Sequence, residues 1–515
     1  MNFEVPNFYP ALAEIFVAVM ALVLMLAGTF FRRIRGLGFV LAEITLIGAA
    51  FITLATLPDM LGDAAQVPAG RSLFAIYTFN EMYISDLFGG VLKLMIYCAM
   101  AVALLYGRGY LADRNIDRHE YYLLALLMTL GMMVMVSANH MLTMYIGLEM
   151  MSLALYGMVA FDRDNSRSAE AAMKYFVLGA LASGLLLYGM SMVYGATGML
   201  SFDGIAQNIA LNGGNMVLLL GLVFIVAGIC FKLGVVPFHM WIPDVYQGAP
   251  SAVTLVIASA PKLAAFAMAM RLLAWGMPGL DIQWHNMLLL VALASIILGN
   301  LAAIVQHNIK RMLAYSGISH MGFVLLGLFA GVHAAPESTD MALRVTAYSA
   351  AMFYAIAYVL MSLASFGIIL LFSRAGFEAE RLEDFKGLNK RNAWFAAVMM
   401  FVMFSMAGIP FFVGFFAKFS ILAAVVQAGY VWVAVVAIIM SVIGAFYYLR
   451  VVKVMYADEP EETSPIAAPA EFRVLLSANG FAIALFGLMP AEIMFMCLTA
   501  IQQSLPSIIA STAPL

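Results

Sequence analysis

Residues 216–238 read MVLLLGLVFIVAGICFKLGVVPF, an apolar run that carries a single charge, Lys232, and closes on Pro237-Phe238. About 20 mostly apolar residues make one helical crossing of a bilayer. The stretch therefore predicts a membrane span with a lysine held at depth and a helix breaker five residues beyond it. The same reading repeats along the chain and predicts fourteen spans, near residues 10–31, 37–57, 84–106, 121–137, 140–161, 171–194, 216–238, 252–275, 286–305, 312–331, 344–372, 393–427, 430–449 and 474–500. The stretches at 344–372 and 393–427 exceed one straight crossing, and Gly408, Pro410 and Gly414 predict that the second is a broken helix.

Composition agrees with an all-α polytopic membrane protein. The chain has 515 residues, 64% hydrophobic and 11% charged, against roughly 45–50% and about 25% in soluble domains. A net charge of −3 offers no basic footprint for nucleic acid. Cys98, Cys230 and Cys497 are far apart in apolar stretches, so apolar packing is expected rather than a cluster or zinc site. The forty methionines read as flexible core filler. Glu4 precedes the first apolar run and the basic cluster follows it, which predicts a retained helix rather than a cleaved signal.

Loop charge tests the span count independently. Eighteen lysines and arginines fall in odd-numbered loops, beginning with Arg32, Arg33 and Arg35 and ending with Arg450, Lys453 and Arg473. Only Arg71 and Arg344 fall at even ones. That bias predicts cytoplasmic odd loops and both termini on the outer side.

Six basic residues remain inside or near the spans. Lys93, Lys174 and Arg271 are expected to snorkel toward a helix end. Lys232, Lys262 and Lys418 sit too deep for that. A lysine at mid-helix costs roughly 2.5–3.5 kcal/mol on insertion scales, and such residues mark ion pathways, proton relays or fixed ion pairs. Glu149 stands alone in an otherwise uncharged span and is the expected partner of Lys232. Burial disfavours an ammonium's charge and a nearby carboxylate restores it, so a carboxylate that moves makes a lysine take up or release a proton. A static salt bridge is the competing reading. Breakers accompany each lysine: Pro237 after Lys232, Pro261 before Lys262, Pro410 before Lys418. Breaks in the seventh and twelfth spans lie five spans apart, an offset that reverses topology and suggests inverted repeats. His239 and His320 are candidate extensions of a proton wire, and His307 falls at a helix end.

The residues now become recognisable. Phe231-Lys232-Leu233-Gly234-Val235-Val236-Pro237-Phe238-His239-Met240-Trp241, the run Pro243 to Pro250, Ala260-Pro261-Lys262, Glu170 to Phe176 and Lys310 to Ser316 resemble the antiporter-like subunits of respiratory complex I. The resemblance implies fourteen helices with two inverted five-helix repeats, each holding one broken helix. It implies a proton relay through Glu149, Lys232, Lys262 and Lys418, with Lys174 secondary and Lys418 at the exit. A lysine at 418 and only a short tail after the last span match the member of this group that lacks a lateral helix. One departure is visible: the family often reads Gly-Ile-Pro-Pro where this chain has Gly408-Ile409-Pro410-Phe411.

The resemblance also implies one membrane domain over 1–515: a three-helix segment at 1–118, a first repeat at 119–275, a second at 285–456 and a C-terminal helix and tail at 473–515. It implies a bacterial inner membrane and, as partners, neighbouring antiporter-like and small membrane subunits. NADH, FMN, iron–sulfur clusters and quinone are expected in other subunits, with no cofactor in this chain. Two other readings share the buried lysines: a subunit of a multi-subunit sodium/proton antiporter, and a non-conducting scaffold.

Overall fold

The structure, a computed structural model, describes residues 5–31, 34, 36–60, 75–332, 341–373, 377–460 and 469–505. Arg32, Arg33, Arg35, Arg71 and Arg374, used above to orient the chain, lie outside them. The N-terminal segment is α1 (Leu12–Phe30), α2 (Leu37–Met60), a hairpin of β1 (Ile76–Thr78) and β2 (Tyr83–Ser85), and α3 (Leu87–Asp113). The first repeat is α4 (His119–Val136), α5 (Met141–Val159), α6 (Ser166–Thr197), the short α7 (Phe202–Asn212), α8 (Met216–Leu233), α9 (Trp241–Gly248), α10 (Ser251–Ala258) and α11 (Ala260–Ala269), which ends in a π turn, Met270–Trp275.

The second repeat is α12 (Asp281–Ile304), α13 (Ile309–Ala330), α14 (Met341–Phe372), the single turn α15 (Leu388–Arg391), α16 (Ala393–Ala407), α17 (Val413–Gln427) and α18 (Val431–Ala457). Two helices close the chain, α19 (Ala470–Leu488) and α20 (Ala491–Ser504). Among the described residues thirteen helical stretches are long and apolar enough to cross a membrane, and the α16–α17 pair makes the fourteenth crossing.

Side-chain caps fix where several spans begin. Asn215 accepts from Leu218 N at the start of α8, Asn308 from Arg311 N at α13 and Asn392 from Phe395 N at α16. Glycines let the first two helices of each repeat approach backbone to backbone. A Cβ at Gly131 would lie 2.7 Å from Gly147 O, and one at Gly299 2.8 Å from Tyr315 O. That shared contact is one trace of the inverted repeat.

The long stretch at 344–372 is one helix of 32 residues, longer than a straight crossing as expected. Three expectations need correction. The span near 474–500 is two helices interrupted at Met489-Pro490, where proline cannot continue the ladder. Lys310, counted as a loop residue, lies in α13 and is 1% exposed. Cys98 is exposed on α3, where it lines an apolar cavity of about 320 Å³ with Met95, Leu263, Phe353 and Phe486, whereas Cys230 and Cys497 are buried.

Candidate functional site

Each broken span leaves backbone carbonyls without helical partners inside the membrane, where water cannot satisfy them. In the seventh span α8 ends at Gly234, whose φ of +77° turns the chain out of the helix. Lys262, reaching across from α11, donates to Leu233 O at 2.9 Å, and Trp241 Nε1 donates to Phe231 O at 3.1 Å. In the twelfth span α16 ends at Gly408, with φ of +87°. Lys418 Nζ donates to Met406 O at 2.9 Å, to Ala407 O at 3.0 Å and to Ser441 Oγ of α18 at 2.8 Å. Both ammonium groups thus cap the negative ends of half-helix dipoles. Lys262 is 2% exposed and Lys418 8%, so both capped ends are dry enough for these bonds to matter.

Lys232 is equally buried but sits differently. Its Nζ donates to Ser152 Oγ at 2.7 Å. Glu149, one helical turn before Ser152 on α5, is half-buried and accepts instead from Ser183 Oγ of α6. The expected direct Glu149–Lys232 pair is therefore not formed. The Ser152 hydroxyl stands beside the ammonium instead, one turn from the Glu149 carboxylate. Composition gave no signal for these serines; the one-turn spacing of Ser152 from a lone acid in its span was the only hint available, and Ser183 had none.

His320 on α13 is 3% exposed and hydrogen-bonded on both ring nitrogens, Nδ1 to Tyr354 O–H at 2.8 Å and Nε2 to Tyr448 O–H at 3.1 Å. Tyr448 continues to Ser316. Phe323, one turn along α13, packs 5.6 Å from Lys418 Nζ. The hydrogen-bonded chain of His320, its two tyrosines and Ser316 thus shares α13 with the ring that faces Lys418. His239 lies in the α8–α9 connection, half-buried, its Nδ1 buried without a hydrogen-bond partner. Pro237 lies in that same connection and Pro410 in the α16–α17 break.

The three expected snorkellers divide. Lys174 is 44% exposed and pairs with Glu170 and Asp244, both at 2.9 Å; Asp244 also holds Arg311 at 2.7 Å. Lys93 and Arg271 instead stay inside. Lys93, 4% exposed, pairs with Glu14 at 2.5 Å and donates to Tyr83 O–H at 2.9 Å. Arg271, 1% exposed, holds Asp86 through two bonds of 2.7 Å. Each found a carboxylate far away in sequence, which removes the reason to snorkel.

On the odd-loop face, a polar cavity of about 370 Å³ is lined by Arg167, Gln247, His307, Asn308, Glu380 and Arg381. Beside it Lys310 is buried, with Glu378 and Glu380 each at 3.6 Å and Ala249 O and Ser251 Oγ each at 3.2 Å.

Comparison with known proteins follows this geometry. Residues 138–444 match the family described as NADH:quinone oxidoreductase/Mrp antiporter, transmembrane. The chain is 68% identical to NADH-quinone oxidoreductase subunit N of Azoarcus sp. (strain BH72), over 96% of this chain and 98% of that one. A chain of respiratory complex I from Thermus thermophilus with bound aureothin superposes with a TM-score of 0.75 at 30% identity, covering 94% of this chain and 98% of that one. A chain of the Mrp complex from Dietzia sp. shares the fold, with a TM-score of 0.81 at 20% identity over 99% of this chain and all of its own.

Proposed function

The chain belongs to the NADH:quinone oxidoreductase/Mrp antiporter membrane family, and from that premise we propose that it relays protons across the bacterial inner membrane as a subunit of NADH-quinone oxidoreductase. The observation that carries the relay is the placing of three buried lysines at helix breaks and on hydroxyls, with the Glu149 carboxylate one helical turn from the serine that holds Lys232. A fully static charge needs a fixed counter-ion. Among the described residues none of these three lysines has a carboxylate within ion-pair distance; each is held by carbonyls or hydroxyls, which stabilise an ammonium without fixing its proton.

In this reading the odd loops face the cytoplasm, supported by the charge bias. The polar cavity at His307 and Glu380 is the mouth, and the Lys174–Asp244–Arg311 cluster lines the approach. Lys232 and Lys262 receive protons in the first repeat, and Lys418 releases them from the second toward the periplasm. Glu149 sets the proton affinity of Lys232: drawn closer it favours the charged form, drawn away it favours release. Redox chemistry elsewhere in the complex supplies that displacement; NADH, FMN, iron–sulfur clusters and quinone belong to other subunits. The partners are the neighbouring antiporter-like and small membrane subunits.

Lys232→Ala and Lys418→Ala test the relay in membrane vesicles. Proton pumping per NADH oxidised should fall in both while the complex remains assembled, and normal stoichiometry in both would overturn the reading. Co-purification with a peripheral redox arm, rather than with small membrane subunits alone, separates it from a sodium/proton antiporter.

A further inference from the structure

The repeats share a second device at their edges. The last span of the first repeat carries Arg271, whose Nε and Nη2 both donate to Val136 O at 3.2 Å, the C-terminal carbonyl of α4. The last span of the second repeat carries Arg450, whose two terminal nitrogens donate to Ile304 O at 2.9 Å and Gln306 O at 2.6 Å, at the C-terminal end of α12. In both, an arginine of the fifth span clamps the carbonyl end of the first span. Because the repeats are inverted, the clamps lie on opposite membrane faces: Arg271 with the even loops, Arg450 with the odd ones.

We propose that these arginines are proton plugs, Arg271 closing the first repeat on its periplasmic side and Arg450 closing the second on its cytoplasmic side. The proposal rests on the relay reading above and adds what makes the route one-way. A guanidinium donates hydrogen bonds and accepts none, and it does not give up its proton, so a hydrogen-bonded wire that reaches it stops there.

The Arg271 plug is the more complete. Asp86 accepts both terminal nitrogens while capping α3 through Gly89 N at 2.8 Å, so the N-terminal segment itself supplies the counter-ion. Phe88 and Trp275 lie 5.1 and 5.2 Å from the guanidinium carbon, and Phe88, Val136 and Ser137 are fully buried. A water path past this group is closed by aromatic rings on one side and packed helix ends on the other. With both plugs in place, a proton that enters the first repeat has no exit on the far side of that repeat and must pass to the second.

The test is passive proton flux into liposomes holding the intact complex, driven by an imposed pH gradient with no NADH present. Arg271→Gln combined with Asp86→Asn removes both charges together, so neither is left buried alone. The expected flux is severalfold above wild type, because a glutamine amide accepts as well as donates and so carries the wire that a guanidinium ends. Adding Lys262→Met should abolish that leak, and adding Lys418→Ala should not. Arg450→Gln should leak in the crossed pattern, stopped by Lys418→Ala and not by Lys232→Ala. Wild-type flux in an assembled double variant overturns the proposal, as does a leak that persists with Lys262→Met. If the double variant does not assemble, Arg450→Gln decides alone by the same criteria. These measurements are made at rest, whereas the relay reading fails only on pumping during turnover, so the two failures are distinguishable.

Discussion

The two broken spans meet one need with lysines drawn from different places. In the seventh, the orphan carbonyl of α8 is capped in trans by Lys262 from the following span, and Lys232 is left to a hydroxyl and a distant carboxylate. In the twelfth, Lys418 comes from the second half of the same span and takes both carbonyls of the first half. The first repeat therefore holds two ammonium groups, one on a carbonyl and one on a hydroxyl a turn from a carboxylate, and its break moves only if two spans move. The second holds one ammonium on a self-contained break, bordered by His320 and tyrosines. In the proposed relay, that difference fits an adjustable proton affinity in the first repeat and a fixed terminal station in the second.

Arginine in place of each lysine breaks or sharpens that division most strongly, because it keeps a charge able to cap carbonyls but cannot release its proton. Lys418→Arg should leave the complex assembled and lower pumped proton flux by about a hundredfold, the lower end of what a positioned acid–base group supplies. Lys262→Arg should lower flux less if Lys232 passes part of the load. Equal losses in the two variants would show that the repeats are not divided as described. Hydroxyl removal is the next effect in size. Ser441→Ala deletes one of three bonds to Lys418, and Ser152→Ala deletes the hydroxyl bond of Lys232. A bond to a charged group contributes about 1.5–3 kcal/mol, so Ser152→Ala should slow pumping by roughly tenfold. Ser441→Ala should slow it less, since two carbonyls still hold Lys418.

Hydropathy and loop charge made the spans legible because bilayer thickness imposes one length on them all. Depth within a span made Lys232, Lys262 and Lys418 legible for the same reason. Depth failed for Lys93 and Arg271. Their partners Glu14 and Asp86 sit on other elements, and nothing in the local sequence announces a contact 185 residues apart. Lys310 was hidden likewise: it begins a helix and reads as a loop charge until the Glu378–Glu380 stretch folds over it. Ser152 and Ser183 were invisible because a serine in a span ordinarily bonds its own helix, as Ser152 also does with Leu148 O.

The smallest effect concerns the turn chemistry of the breaks. In the seventh span the positive φ falls on a glycine, Gly234, which adopts it at no steric cost. In the twelfth it falls on Gly408 and again on Phe411, at +78°. A proline there, as the family often has, is locked near −65° and cannot take that conformation, so the break in this chain follows a different course from a Gly-Ile-Pro-Pro turn. A left-handed conformation costs a residue with a Cβ roughly 1–2 kcal/mol, and Phe411 has little packing to offset it, since it is 71% exposed. Phe411→Gly should therefore raise the thermal stability of the complex by about 1 kcal/mol or less, part of the gain being lost to the flexibility of an unfolded glycine. Pumping should be unchanged, because Met406 O and Ala407 O stay capped by Lys418. A fall in pumping with unchanged stability would mean that the strain at Phe411 holds Lys418 in register, and the second break would then be as adjustable as the first.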